Sequence, residues 1–278
     1  MATHRMPLGP VASVPAMSDL LVIVGGGNMG AALLGGLLAA AGTGPADVAV
    51  SEALPARRDE LAAQFPGVVV TAEIPTCGAA IIAVKPGDVP EAVRAAVAAG
   101  ARRVLSIAAG VSLASLDAAA GTDVAVIRAM PNTPALVGAG ASAIAAGAAA
   151  SDDDLAWAES ILGAVGTVAR VDEKHLDAVT ALTGSGPAYL FLVAEALIDA
   201  GVTAGLARPL ATDLTTQLLV GSAALLAARG DPAGLRAMVT SPAGTTAAGL
   251  HVLESRATRA AFVDAVLAAA ARSRELGS

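Results

Sequence analysis

The sequence predicts an α/β domain followed by an all-α one, and three observations carry that reading. A short apolar run, Leu20–Val24, passes through three glycines, Gly25–Gly27, into the Ala/Leu run Ala31–Ala41. Further apolar runs of strand length alternate with helix-like stretches to about residue 170, the rhythm of a parallel sheet with crossover helices. From Lys174 the strand signals stop and only long helical stretches follow. The fold class is therefore an N-terminal Rossmann-type dinucleotide-binding domain, residues 19–170, then a helical domain, residues 171–278. Residues 1–18 carry three prolines and no periodicity, and are expected to be a flexible tail, with Met17 an alternative start.

Composition narrows the class. Of 278 residues, 55 % are hydrophobic but only 2 % aromatic, so few aromatic platforms exist for stacking bases. A net charge of −7 argues against a nucleic-acid surface, which needs a basic stripe. Cys77 is the single cysteine, so no internal disulfide can form, and a soluble cytoplasmic protein is expected. No metal site is expected. From Leu20 to Gly42 only Asn28 is polar, as in a membrane span, but seven of those 23 residues are glycine, three of them consecutive. Strand, turn and helix explain the same residues better, so no membrane partner is expected.

The first element sets the cofactor reading. Gly25-Gly26-Gly27-Asn28-Met29-Gly30 joins a strand to a helix, the context in which a G-x-G-x-x-G pattern has physical meaning. Gly25 turns the chain off the strand, Gly27 clears space for a pyrophosphate, and Gly30 lets helix and strand approach. The free N–H groups at Asn28 and Met29 would face the phosphates. Gly138–Ala143 fits a similar template but reads as a loop entering a strand. The second strand is Asp47–Ser51, and Glu52 follows it, 22 residues past Gly30, where such folds select the ribose. An acid there favours NAD; Arg57 and Arg58, one turn on, suit a 2′-phosphate or a solvated helix face. Cofactor choice between NADH and NADPH stays open on these residues.

The remaining strands come in order: Val68–Val70, Ala80–Val84, Arg103–Ile107 and Val124–Arg128, with Ser142–Ala146 and Thr167–Val171 closing the sheet. The fourth ends in Lys85-Pro86, a rigid polar strand end whose alternative is a solvent-facing lysine. The sixth ends in Met130-Pro131-Asn132-Thr133-Pro134, where two prolines hold two short polar side chains. Both ends lie where parallel sheets bind ligands. Helices are expected from Asp88, over Ser112–Ala120 with Ser112 as cap, and from Asp152 to Val165.

In the second half, helices are expected over 186–201, 207–229, 244–253 and 257–274. The apolar faces of Tyr189–Leu197 and Leu214–Ala227 exceed what a small helical domain buries alone, so a homodimer is expected. Two helix starts are glycine-rich. Thr183-Gly184-Ser185-Gly186-Pro187-Ala188-Tyr189 serves either a ligand or a partner helix. Thr240-Ser241-Pro242-Ala243-Gly244-Thr245-Thr246 places four hydroxyls and free N–H groups at a helix start, more than a cap requires. That suits a small carboxylate.

Together these motifs resemble the pyrroline-5-carboxylate reductase family: Gly25–Gly30, Ala83–Pro86, Arg128–Pro134, Asp177–Tyr189 and Val239–Thr246. The last two are the specific ones. The resemblance implies reduction of L-1-pyrroline-5-carboxylate to L-proline by NADPH or NADH, with NADPH slightly favoured, the last step of proline biosynthesis. It also implies a helical domain that interlocks two subunits, with dimers often assembling further. It assigns the substrate to Ser241, Gly244, Thr245 and Thr246, with Thr246 at the ring nitrogen. It assigns the cofactor to Gly25, Gly27, Asn28, Met29, Ser51, Glu52, Ala83, Val84, Lys85, Pro86, Met130, Pro131, Asn132 and Thr133. Three positions depart from the pattern. Relatives often have a basic residue after the Ser51 position, many have a Glu within Arg229–Asp231, and Ala243 stands where glycine is common.

Two other readings share the opening domain. A hydroxy-acid dehydrogenase would use a lysine in the helical half, yet no lysine follows Lys174. A dinucleotide-sensing regulator has no use for a second small-acid receptor at Ser241–Thr246.

Overall fold

A computed structural model describes residues 20–277; the expected tail and the Met17 start lie outside the described residues. The described chain forms two compact units, one through Leu176 and one from Asp177 to Leu276.

The first unit is an eight-stranded sheet. Its strands are β1 (Leu21–Val24), β2 (Val48–Ser51), β3 (Val69–Thr71), β4 (Ala79–Ile82), β5 (Arg103–Ser106), β6 (Ala125–Met130), β7 (Gly140–Ala146) and β8 (Gly166–Arg170). They lie in the order β3-β2-β1-β4-β5-β6-β7-β8. Strands β1 to β6 are all parallel, β7 runs antiparallel to β6, and β8 is parallel to β7. The reversal between β1 and β4 is where such sheets open a ligand crevice at their carboxyl ends.

Burial on both faces explains why the strands are continuous runs of Val, Ile and Ala. Ile23, Val50, Ile81, Leu105 and Ile127 stand in register and form one face. They join Leu33, Leu34 and Leu37 of α1 (Asn28–Ala39), Leu61 of α2 (Pro55–Gln64), and later Ala158, Ile161 and Leu162 in a single core. The opposite face is packed by α3 (Val89–Ala98) and α4 (Leu113–Ala120), which bury Val93, Ala96 and Leu116. Each fully buried Leu or Ile contributes about 1.5–3 kcal/mol, while an exposed ion pair contributes about 0–1 kcal/mol. The apolar layers, not the surface charges, hold the sheet.

One ion pair joins a buried carboxylate to a partly exposed guanidinium. In α5 (Asp152–Gly163), Ser151 and Asp154 cap each other reciprocally, and the Arg103 Nε lies 2.6 Å from Asp154 Oδ1, with Arg103 also 6.0 Å over the Trp157 ring. Burial alone would raise the Asp154 carboxyl, but hydrogen bonds from Ser151 and the Arg103 charge outweigh it and hold it below the usual range. A depressed folded value stabilises above the unfolded pKa of about 3.9 and is lost as pH falls through the folded value. Asp154→Asn should therefore lower the urea midpoint at pH 7 and flatten its fall in acid. Equal midpoints at pH 7 would show that the pair does nothing.

The second unit is helical: α6 (Leu176–Val179), a π-turn over Thr180–Gly184, α7 (Gly186–Thr203), α8 (Arg208–Arg229), α9 (Pro232–Met238), α10 (Thr245–Ser255) and α11 (Thr258–Leu276). The α7 and α8 helices pack on each other, and Ser273 of α11 donates to Asp177 at 2.6 Å. The fold class agrees with the expectation. The reversed β7, the short α9 and the π-turn were not foreseen.

Candidate active site

The glycine turn is shaped for a pyrophosphate. Gly25 has φ +103°, a conformation that favours glycine, and its N–H donates to Ser51 O at 2.8 Å. A Cβ on Gly30 would fall on the Gly25 carbonyl, so helix and strand touch only because Gly30 has none. A Cβ on Gly27 would meet nothing, which leaves open space in front of the α1 N-terminus. No side chain caps that terminus, and Gly27 and Asn28 are exposed. Unpaired N–H groups, a positive helix end and an open concavity fit a dinucleotide phosphate.

The strand ends beside it carry the other expected residues. Ala83 and Val84 leave β4 half-buried, and Lys85-Pro86 continues exposed into a short 3-10 turn, Pro86–Asp88. After β6, Pro131 and Asn132 are buried and Thr133 is exposed at the start of a second 3-10 turn, Thr133–Val137. The Asn132 carboxamide oxygen accepts from Ala141 N–H at 2.8 Å, so this side chain pins the loop to β7. Ser51 is buried too, and its hydroxyl donates to Ala72 O at 3.3 Å, tying down the chain after β3. These two hydrogen bonds fix how both side chains sit at the strand ends.

Glu52 is the acid of this crevice. Its Oε2 accepts from Gly26 N–H at 2.8 Å and its Oε1 from Leu54 N–H at 2.9 Å. Arg57 Nε donates to Gly26 O at 2.8 Å while its Nη1 pairs with Glu60 at 2.6 Å. Arg58 Nη1 donates to the Glu52 and Ala53 carbonyls at 2.9 and 2.8 Å. The Gly26 peptide is thus gripped on both sides.

Arg128 was quoted only as part of a motif. Its Nη1 and the Leu113 N–H both donate to Glu173 Oε1, at 2.8 and 2.7 Å. That clamp joins β6 and α4 to the last turn of the first unit. A contact across 45 residues leaves no local sequence signal.

In the second unit the hydroxyl-rich loop precedes α10. Thr240 Oγ1 donates back to Arg236 O of α9 at 2.6 Å, and Gly244 N–H donates within the loop to Ser241 O at 3.1 Å. The Gly244 N–H, expected at the carboxylate, makes this bond within the loop, and the N–H groups of Thr245 and Thr246 begin a helix without a side-chain cap. A Cβ at Gly244 would strike Ser241 Oγ, so glycine there lets the hydroxyl sit beside the helix start. Thr246 is half-buried. Ala243 has φ +58°, the left-handed region. Its side chain costs about 1–2 kcal/mol there. Ala243→Gly should accordingly raise the melting temperature by a few degrees, read by calorimetry; a fall would mean that the loop tolerates alanine without strain.

The other expectations place simply. Burial pushes the Cys77 thiol up, leaving it an inert core group. His251 is exposed on α10, away from the loop hydroxyls. An open cavity of about 640 Å³ is lined by Ile144, Leu155, Arg170, Asp172 and His175, none of them a candidate ligand. Chemistry, not cavity size, marks the site.

The helical unit leaves large apolar side chains bare. In α7 Leu190, Phe191 and Leu192 are 59, 65 and 66 % exposed, and in α8 Leu214, Leu218 and Val220 are 53, 55 and 59 % exposed. Helical stretches 173–203 and 208–229 are long and apolar enough to cross a membrane by length and composition.

Comparison with known proteins bears on both units. Residues 173–276 match the family described as pyrroline-5-carboxylate reductase dimerisation, and residues 20–110 match NADP oxidoreductase coenzyme F420-dependent. A pyrroline-5-carboxylate reductase of Synechocystis is 46 % identical, covering 94 % of this chain and 99 % of its own. Among solved structures, the pyrroline-5-carboxylate reductase of Coxiella burnetii aligns with a TM-score of 0.87 at 34 % identity, over 94 % of this chain and 99 % of that one. The pyrroline carboxylate reductase of Plasmodium falciparum, with NADP bound, aligns at 0.82 and 28 % identity over the same shares.

Proposed function

This chain belongs to the pyrroline-5-carboxylate reductase family, and we propose on that footing that it reduces L-1-pyrroline-5-carboxylate to L-proline with a nicotinamide dinucleotide. The observation that carries the assignment to this site is the uncapped α10 start beside Ser241, a set of neutral donors suited to a carboxylate. Ser241 Oγ with the Thr245 and Thr246 N–H groups holds the substrate carboxylate. Thr246 Oγ accepts from the N–H of the protonated imine and so fixes the ring. The amide donors are prealigned, so binding needs no reorganisation of charge.

Gly25, Gly27, Asn28 and Met29 receive the pyrophosphate, and Glu52 faces the ribose. Ala83, Val84, Lys85, Pro86, Met130, Pro131 and Thr133 line the nicotinamide, with Ser51 and Asn132 supporting them from behind. When bound, the reduced nicotinamide supplies the hydride. The chain orients the imine and excludes water; the product amine then takes a solvent proton. The NADP held by the Plasmodium falciparum protein supports NADPH here, and the acid at Glu52 supports NADH.

The exposed α7 and α8 faces support a homodimer rather than a membrane span, because both helices lie within the dimerisation match. A cytoplasmic enzyme is in keeping with a lone buried cysteine. The test is to mix the protein with pyrroline-5-carboxylate and follow NADH and NADPH oxidation separately. Oxidation that depends on substrate, with proline formed, is expected; none with either cofactor would overturn the reading.

A further inference from the structure

We propose that Glu52 makes this chain an NADH-selective enzyme, its carboxylate taking the adenosine ribose hydroxyls and excluding a 2′-phosphate. The proposal rests on the reductase reading for its reaction, and on the crevice geometry for its content.

The carboxylate is held in place before any ligand arrives. One oxygen takes the Gly26 N–H of the glycine turn and the other takes Leu54 N–H, at 2.8 and 2.9 Å. An ionised carboxylate offers about four acceptor sites. Each oxygen therefore keeps a lone pair for one more donor. A ribose with free 2′- and 3′-hydroxyls supplies two donors. A 2′-phosphate supplies none, and brings about −1.5 to −2 charges against the carboxylate.

Two arginines stand near enough to argue the other way, since guanidinium groups grip phosphate well. Their geometry places them elsewhere. Arg57 is bound to the Gly26 carbonyl and to Glu60, at 2.8 and 2.6 Å. Arg58 lies on the Glu52 and Ala53 carbonyls. Each guanidinium is engaged in building the turn that presents Glu52. A 2′-phosphate would be left with the remaining guanidinium donors, and it would stand against a Glu52 carboxylate that two backbone N–H groups already hold in place. A ribose diol brings no such charge.

The test measures kcat/KM for NADH and NADPH with pyrroline-5-carboxylate, and binding of ADP-ribose and 2′-phospho-ADP-ribose, all on the full chain. The expected result is at least about tenfold preference for NADH and for ADP-ribose, tenfold being the ratio that 1.4 kcal/mol produces. Glu52→Ser should close that gap by improving NADPH. A preference below about tenfold, or for the phosphorylated nucleotide, overturns the proposal. If neither cofactor is oxidised, the reductase reading fails while the two wild-type binding constants still decide this one. Those constants also suffice should the Glu52→Ser protein fail to fold.

Discussion

Replacing Thr246 with alanine lowers turnover by about 10²-fold, the size expected when one prealigned hydrogen bond at a reacting group is removed. The affinity for the dinucleotide stays as it was. The expectation follows from where Thr246 stands: half-buried, second residue of an uncapped helix whose N-terminal Gly244 lies beside the Ser241 hydroxyl. The substitution leaves the backbone N–H in place, so carboxylate binding is reduced less than turnover. Thr246→Ser restores most of the rate because it restores the hydroxyl. Steady-state kinetics with saturating cofactor reads the effect. An alanine variant within twofold of wild type would remove Thr246 from the chemistry and leave the carboxylate receptor standing alone.

The second large effect is on assembly. Leu214 and Leu218 stand one helical turn apart on α8, both more than half exposed, and α7 presents Leu190, Phe191 and Leu192. Covering each fully is worth about 1.5–3 kcal/mol, so a handful of them exceeds the cost of association of about 4–15 kcal/mol only when most are buried together. Leu218→Glu puts a charge into that surface. The expected outcome is loss of the dimer at micromolar concentration, seen as halved mass in light scattering, together with loss of activity. Leu218→Ala should show a weaker version, a dimer that dissociates on dilution. Unchanged mass for the glutamate variant would place the interface elsewhere.

How much of this was legible in the sequence varied with the range of the interaction. Strands β1 to β6 were readable to within two residues, the inner ones because burial on both faces demands apolar runs, while β3, an exposed edge strand, was legible from Val68–Val70 alone. The reversal of β7 was not, since strand direction leaves no mark on composition. The short α9 and the π-turn at Thr180–Gly184 were missed because periodicity needs more residues than either has. Among the site residues, the type of Glu52 was readable but its grip on Gly26, across 26 residues, was not. Ser51 and Asn132 entered as cofactor residues through the family resemblance, and their tertiary hydrogen bonds to Ala72 and Ala141 left no local signal. The alanine at 243 was noted as a departure from glycine, and only the backbone angle shows that the departure carries strain.

The destination of the hydride is what most directly distinguishes a reductase of this imine. The decisive measurement uses NADH carrying deuterium at the transferable C4 position, with pyrroline-5-carboxylate as substrate and the product examined by NMR. The prediction is L-proline with one deuterium at C5, the former imine carbon, and about 10²-fold less of it when Thr246→Ala is assayed over the same interval. Cofactor oxidation that leaves proline unlabelled, or no proline at all, would contradict it.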